Sequence, residues 1–353
     1  MVPERQGQIV KRIDWVDVLK CIGIFIIYFW HLGEGMGKSY EFLLRFHVPL
    51  FFFLSGCMES LQKETGFSSY VWRKVKNILI PFFFFAFFSM LLVICYEQCG
   101  LSLIGLMVKQ ILLGGMRNRI FAYSLWFLTC LFVMSIFFQL IKKLKRRSFI
   151  FITGMVLYVV TARFLPYKPD MFPLLPYNAD CALYYTIYYC TGYCIFPELQ
   201  KFLESSEEKK KIRNIVLAVT GVAGSVYAVL LFWGTDVTGI LLKVPVFRIF
   251  HPYLVAMLLI IWCVVIAFCL QKSKIMQQFG RESLYLCGNE FFMKTLVTIA
   301  ASFWGISIPM QNAAVGIVYV IIVMHLTHFM LIPIEKQVIG KIEDKWKKSE
   351  NRD

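Results

Sequence analysis

Charge is what this chain has least of. Lys, Arg, Asp and Glu make up 17% of its 353 residues, against about 25% in an ordinary soluble domain. Hydrophobic residues reach 58% and aromatic ones 17%. A soluble protein of this length could bury a large core, yet it would need a charged surface to cover it. Polar sequence between the apolar runs is also short. No stretch leaves room for a separate soluble catalytic domain, which takes at least about 50 residues, so any chemistry takes place in or at a membrane. The 11 cysteines form no Cys-x-x-Cys framework. Five of them (Cys21, Cys57, Cys130, Cys263, Cys287) lie inside apolar segments, where they behave as small apolar residues. Cys95 with Cys99 and Cys190 with Cys194 stand at i,i+4, which leaves a metal or redox pair as the alternative reading there. No internal repeat of the kind found in many secondary transporters is visible. The first apolar run lacks a small-residue cleavage pattern and reads as a signal anchor.

What the chain does have is a series of apolar segments close to the 20 or so residues that cross a hydrocarbon layer about 30 Å thick. Ten read as spans: 16–31, 42–58, 77–96, 121–141, 149–165, 181–198, 213–233, 250–270, 283–303 and 312–334. The expected fold is an all-α, polytopic membrane helix bundle of about ten transmembrane helices. The net charge of +15 does not point to nucleic acid, because Lys and Arg gather on alternate connections. Arg5, Lys11 and Arg12 precede the first span, Lys142 to Arg147 follow the fourth, and Lys209 to Arg213 follow the sixth. That is a positive-inside pattern, which puts both termini in the cytoplasm. Residues 1–340 read as one integral-membrane domain and 341–353 as a cytoplasmic tail. Segment 97–119 is glycine-broken and reads as re-entrant or as lying along an interface.

Three stretches carry polar groups into this apolar background. In "DWVDVLKCIGIFIIYFWH" (14–31), Lys20 and His31 are eleven residues apart, about three helical turns, so they share a face about 16 Å apart along the axis. Asp17 stands one turn before Lys20 and can pair with it. An ionisable ring at that depth is a functional hypothesis by default. His31 could be a general base or an acyl-carrying nucleophile, with Glu34 three residues on to orient it, or it could simply mark the end of the helix. "RFHVPLFFFLSG" (45–56) places Arg45 and His47 before Pro49, either as a local helix break or as a helix start with proline in its first turn. "YVWRKVKNILIP" (70–81) puts Arg73 and Lys76 one turn apart, suited to phosphate or to topology alone.

Together these stretches resemble the acyltransferase-3 family of integral-membrane O-acyltransferases, in particular its fucose 4-O-acetylase-like branch. The carrying motifs are Asp17-Val18-Leu19-Lys20 followed by His31, "FHVPLFFFLSG" (46–56), Arg73, Lys76 and Pro81, "SLWFL" (124–128) and "GRESLYL" (280–286). The resemblance implies catalytic roles for His31, Glu34 and Asp17. It implies acyl-CoA phosphates at Lys20, Arg73 and Lys76, and an acceptor near His47, Arg45, Trp126, Asn289 and Glu290. Acetyl-CoA or another acyl-CoA would be a co-substrate, with no bound cofactor. The acceptor would be a cell-surface polysaccharide or lipid-linked sugar, and the setting a bacterial cytoplasmic membrane. Two departures stand out. Where the family's late segment carries histidine, this chain has Asn289 and Glu290, with Lys294 spaced to pair with Glu290; and Ser124 stands where histidine is frequent before "LWFL". The tyrosines of 163–193, with Arg163, Asp180, Arg248 and His251 at the same level, read as an interfacial belt or as a glycan platform. A polytopic transporter using His31, Glu290 and Lys294 as a relay, or an accessory subunit of a polysaccharide assembly system, are the competing readings.

Overall fold

A computed structural model describes residues 12–97, 100–308 and 311–338, and among these residues every regular element is helical. Arg5, Lys11, Cys99, the 340/341 boundary and the tail lie outside the described residues. The helices are α1 (Asp14–Trp30), α2 (Lys38–Leu44), α3 (His47–Ser60), α4 (Phe67–Lys74), α5 (Ile80–Glu97), α6 (Leu101–Leu112) and α7 (Trp126–Lys142). They continue with α8 (Arg147–Arg163), α9 (Ala179–Leu203), α10 (Lys210–Phe232), α11 (Pro245–Cys269), α12 (Lys274–Arg281), α13 (Ser283–Phe303) and α14 (Ala313–Leu326).

Each of the ten expected segments overlaps at least one of these helices, with shifted bounds. Among the described residues, six helical stretches are both long and apolar enough to cross a bilayer: 38–60, 67–97, 123–142, 210–232, 247–269 and 313–338. The protein is thus an all-helical, multi-pass membrane bundle. α6, in the ambiguous segment, has 12 residues and rises about 18 Å, well short of the hydrocarbon thickness. Pro49 stands in the first turn of α3. There the missing N–H costs nothing, so the His-x-Pro step begins a helix and breaks none. Pro81, by contrast, lies inside the continuous helical stretch 67–97, just after the π-helical turn Val75–Leu79.

Two close crossings set the geometry of the bundle. α3 and α9 meet through glycines on both sides. A Cβ on Gly56 would stand 2.0 Å from the Tyr189 carbonyl oxygen, and one on Gly192 would stand 2.1 Å from that of Phe53. Small residues that let backbones touch are the usual means of helix association where lipid removes the hydrophobic drive. The start of α1 is pinned likewise, since a Cβ on Gly280 of α12 would stand 1.7 Å from the Asp17 carbonyl oxygen. α1 is surrounded by α3, α11, α12, α13 and α14, so its polar residues face protein.

Gly192→Ala should therefore force α9 off α3 and destabilise the bundle by about 1–3 kcal/mol or more. Gly105→Ala, in α6 with nothing within 4 Å of the new Cβ, should stabilise it by about 0.5–1 kcal/mol. Thermal unfolding of both variants in one detergent checks the contrast.

Candidate active site

His31 follows the last residue of α1, and Gly33, at φ +85°, ends the helix by turning the chain through a conformation that suits glycine. That turn carries Glu34 away into an exposed position. The carboxylate on His31 comes from α13 instead: Nδ1 lies 2.9 Å from both Oε1 and Oε2 of Glu290. Glu290 is fully buried. Its second partner is Lys294, one turn further along α13, which donates from Nζ to Oε1 at 2.7 Å. Lys294 also donates to the Tyr28 carbonyl at 2.8 Å and lies over the Tyr28 ring, 5.2 Å from its centroid. The Tyr28 hydroxyl in turn donates to the Leu286 carbonyl at 2.7 Å. Tyr28 and His31 share one face of α1, and Leu286, Glu290 and Lys294 share one face of α13, so the two helices are zipped by polar contacts at helical spacing.

A carboxylate only accepts, so the ring nitrogen facing Glu290 carries the hydrogen. Nε2 is left with a lone pair. The ring itself is held by Tyr123, whose centroid is 5.4 Å away in a stacked arrangement, and by Trp30 at 5.1 Å. Trp30 is sandwiched between Tyr40 at 5.0 Å and His47 at 4.5 Å. His47 donates from Nδ1 to the Leu43 carbonyl at 3.0 Å, so it supports Trp30 rather than meeting His31.

Beside His31 is a chamber of about 20 Å³ bounded by Trp30, His47, Arg117, Ser124 and Trp126, enough for about one water molecule. Arg117 is a buried cation, only 3% exposed. It lies over the Trp126 ring at 4.5 Å and donates to the Tyr185 hydroxyl at 3.0 Å and to the Asp170 carbonyl. Trp30 Nε1 is a buried donor with no hydrogen-bond partner among the described residues. Ile27, Phe51 and Phe127 also wall the chamber, and the same three residues line a larger cavity of about 220 Å³. That cavity runs to Lys20, Gln62 and Lys74.

The expected cations divide. Lys20 lines the cavity and pairs with Asp17 at 3.3 Å. Arg73 reaches it indirectly, donating to Gln62 at 2.7 Å. Lys76 does not line it: residues Val75–Leu79 form a π-helical turn, whose extra residue shifts the register, and Lys76 lies over the exposed Trp72 ring. Lys74 takes its place, oriented by the buried Glu59 at 3.2 Å. Glu59 also accepts from Tyr70 at 2.9 Å and Gln139 at 2.9 Å.

Asp17 is bound to Lys20 and, at 3.4 Å, to Arg281. It stands about 21 Å of helix from His31, too far to touch a group reacting there. Arg45 is exposed. Asn289 faces the other way and donates to Glu335 at 2.7 Å. Asp180 is turned to the backbone, accepting from Leu174 N at 2.7 Å and Cys181 N at 3.0 Å, and His251 pairs with Asp236 at 3.1 Å. Trp126 does wall the chamber. Arg117, Lys74, Glu59 and Trp30 are site residues that pattern reading passed over. The available signal was a charge inside an apolar stretch for Glu59 and adjacency to named residues for Lys74 and Trp30.

Residues 13–328, nearly the whole chain, match the family described as Acyltransferase domain (the acyltransferase-3 family), and the chain belongs to it. No curated protein and no solved structure matches it. Family and fold together make it a multi-pass membrane acyltransferase.

Removing one member of the buried pair should separate stability from chemistry. Lys294→Met leaves Glu290 without its cation and should cost about 3–5 kcal/mol. The double variant Glu290→Gln with Lys294→Met should recover most of that loss. Glu290→Gln, alone or together with Lys294→Met, should turn over acyl donor about 10²- to 10⁴-fold more slowly. Unfolding and turnover measured on the full cycle of variants check both halves.

Proposed function

We propose that this acyltransferase moves an acyl group, acetyl being the simplest, from acyl-CoA to a hydroxyl of a surface glycan or lipid-linked sugar, with His31 as general base. One observation carries the reading. The cavity with Lys20 and Lys74 at one end shares a wall of Ile27, Phe51 and Phe127 with the chamber at His31. Lys20 and His31 stand about 16 Å apart along α1, a separation of the order of an extended phosphopantetheine arm. CoA phosphates at Lys20 and Lys74, with Arg73 behind Gln62, would leave the thioester beside His31 Nε2. The clustering of Lys and Arg on alternate connections supports placing the Lys20 end, and both termini, in the cytoplasm. The His31 end then faces the opposite leaflet, where the acceptor arrives.

The chemistry follows from the donors present. The acceptor hydroxyl oxygen attacks the thioester carbonyl carbon and gives its proton to His31 Nε2. Glu290 stabilises the imidazolium that forms, and Lys294 keeps Glu290 in place. The carbonyl oxygen gains negative charge and meets Trp30 Nε1–H, a donor with no other partner among the described residues, with the Arg117 guanidinium beside it. The carbon–sulfur bond then breaks, sulfur leaves as the CoA thiol with the proton from Nε2, and the acyl group stays on the acceptor as an ester.

The deciding experiment is release of free CoA from acetyl-CoA by the protein in nanodiscs. His31→Ala should abolish it in protein that is still folded, though with a lowered thermal transition because Glu290 loses one of its partners. Lys20→Ala and Lys74→Ala should raise KM for acetyl-CoA severalfold. Equal release by wild type and His31→Ala would remove His31 from the chemistry, and labelled acetyl retained covalently on wild-type protein would make His31 a nucleophile rather than a base. Flux of a solute without CoA release would favour the transporter reading, for which the buried Lys294–Glu290–His31 row is the relevant observation.

A further inference from the structure

A second, larger cavity opens at the His31 end of the bundle. It holds about 760 Å³ between the last turn of α8, the 164–170 connection, Tyr184 of α9 and the first turns of α11. Its charged lining is Arg163, Lys168 and Arg248 against a single carboxylate, Asp170, a formal excess of two positive charges. The N-terminus of α11 starts in its wall at Pro245, and a helix start adds positive potential of its own. Arg163 and Lys168 are exposed. Arg248 is held by one bond from Nε to the Leu242 carbonyl at 2.7 Å, which fixes its direction. Burial pushes the Asp170 carboxyl above its ordinary range, with Arg117 opposing that shift. The remaining wall is aromatic: Tyr184 packs against Tyr158 at 5.0 Å between centroids, and Tyr167 also lines the cavity.

From this juxtaposition of three cations, a helix start and tyrosine rings, we infer that the cavity binds the diphosphate-linked sugar of the acceptor. A diphosphate diester carries two negative charges, matching the excess in the lining, and the faces of a sugar ring suit tyrosine. The cavity is joined to the active site by one residue. Arg117 bounds the His31 chamber and donates to the carbonyl of Asp170, which lines the outer cavity. A sugar anchored by its diphosphate at Arg163, Lys168 and Arg248 would extend its hydroxyls toward Arg117. The inference rests on the acyl-transfer reading for what happens to that sugar, but not for whether it binds.

The test measures equilibrium binding of radiolabelled geranyl diphosphoryl-glucose to the full-length protein in phosphatidylcholine nanodiscs, without acyl-CoA. The double variant Arg163→Gln with Arg248→Gln should bind at least about tenfold more weakly, and Asp170→Asn severalfold more tightly. Methyl glucoside, which lacks the diphosphate, should not compete. Competition by water-soluble phenyl diphosphoryl-glucose would show that the headgroup is what is recognised, whichever carrier bears it. Competition by the prenyl compound alone would mean recognition of the lipid chain and would overturn the inference. So would unchanged binding by the double variant, or loss of binding when phosphatidylglycerol is added to the disc, which would make the cavity a site for ordinary lipid headgroups. Intact binding with no CoA release in wild type would sink the acyl-transfer reading and leave this cavity standing.

Discussion

The row Lys294–Glu290–His31 is the interaction on which the rest of the site depends. A carboxylate with no exposed surface inside an apolar bundle is tolerable only if its oxygens are bonded and its charge is matched. Glu290 meets both conditions through partners on two helices. Because those partners lie on α1 and α13, the same requirement joins the helices and sets the ring of His31 with one nitrogen bonded and the other turned to the chamber. Lys294 closes the arrangement by reaching back to the Tyr28 carbonyl. Structure and chemistry are here one constraint: the hydrogen bonds that make the charge bearable also select the tautomer that a base requires.

The same rule recurs at three other buried carboxylates. Glu59 is held by Tyr70, Lys74, Gln139 and, more loosely, Tyr189. Asp17 is held by Lys20 and Arg281. Glu282 is held by His328 at 2.5 Å and Lys336 at 2.6 Å. Two of these networks present a cation to the large cavity, since Lys20 and Lys74 both line it. Asp17 thus acts on the proposed donor site by directing Lys20, and the distance along α1 keeps it out of any step at His31. Each network also ties together helices distant in sequence, which a lipid environment would not otherwise press together.

Much of the fold was legible from pattern alone. Ten apolar segments were separable by their charged connections, and each overlaps at least one helix, because run length and charge spacing are local properties. The His31 to Lys20 spacing and the i,i+4 pair Glu290–Lys294 were legible for the same reason, as one helix fixes both. Legibility stopped where a local irregularity changed the register. The π-helical turn after Lys74 moved Lys76 onto Trp72, and the left-handed turn at Gly33 carried Glu34 away from the ring it was expected to orient. Arg117 sits in a connection with no periodicity, so nothing in the pattern marked it as the cation beside His31.

The sequence by itself determined that the chain is a membrane helix bundle, that its first helix carries a cation and an imidazole on one face, and that α13 carries a charged pair. Each follows from composition or from spacing within a single helix. Only the tertiary structure decided that the α13 pair belongs to the histidine, that Lys74 joins Lys20, and that Arg117 lies between the chamber and an outer cationic cavity. Those outcomes depend on which helix faces which, and here glycine contacts such as Gly56 against α9 and Gly280 against α1 bring the helices close. A contact between residues 259 positions apart leaves no trace in local periodicity, because it is selected by packing and by the cost of an unpaired buried charge.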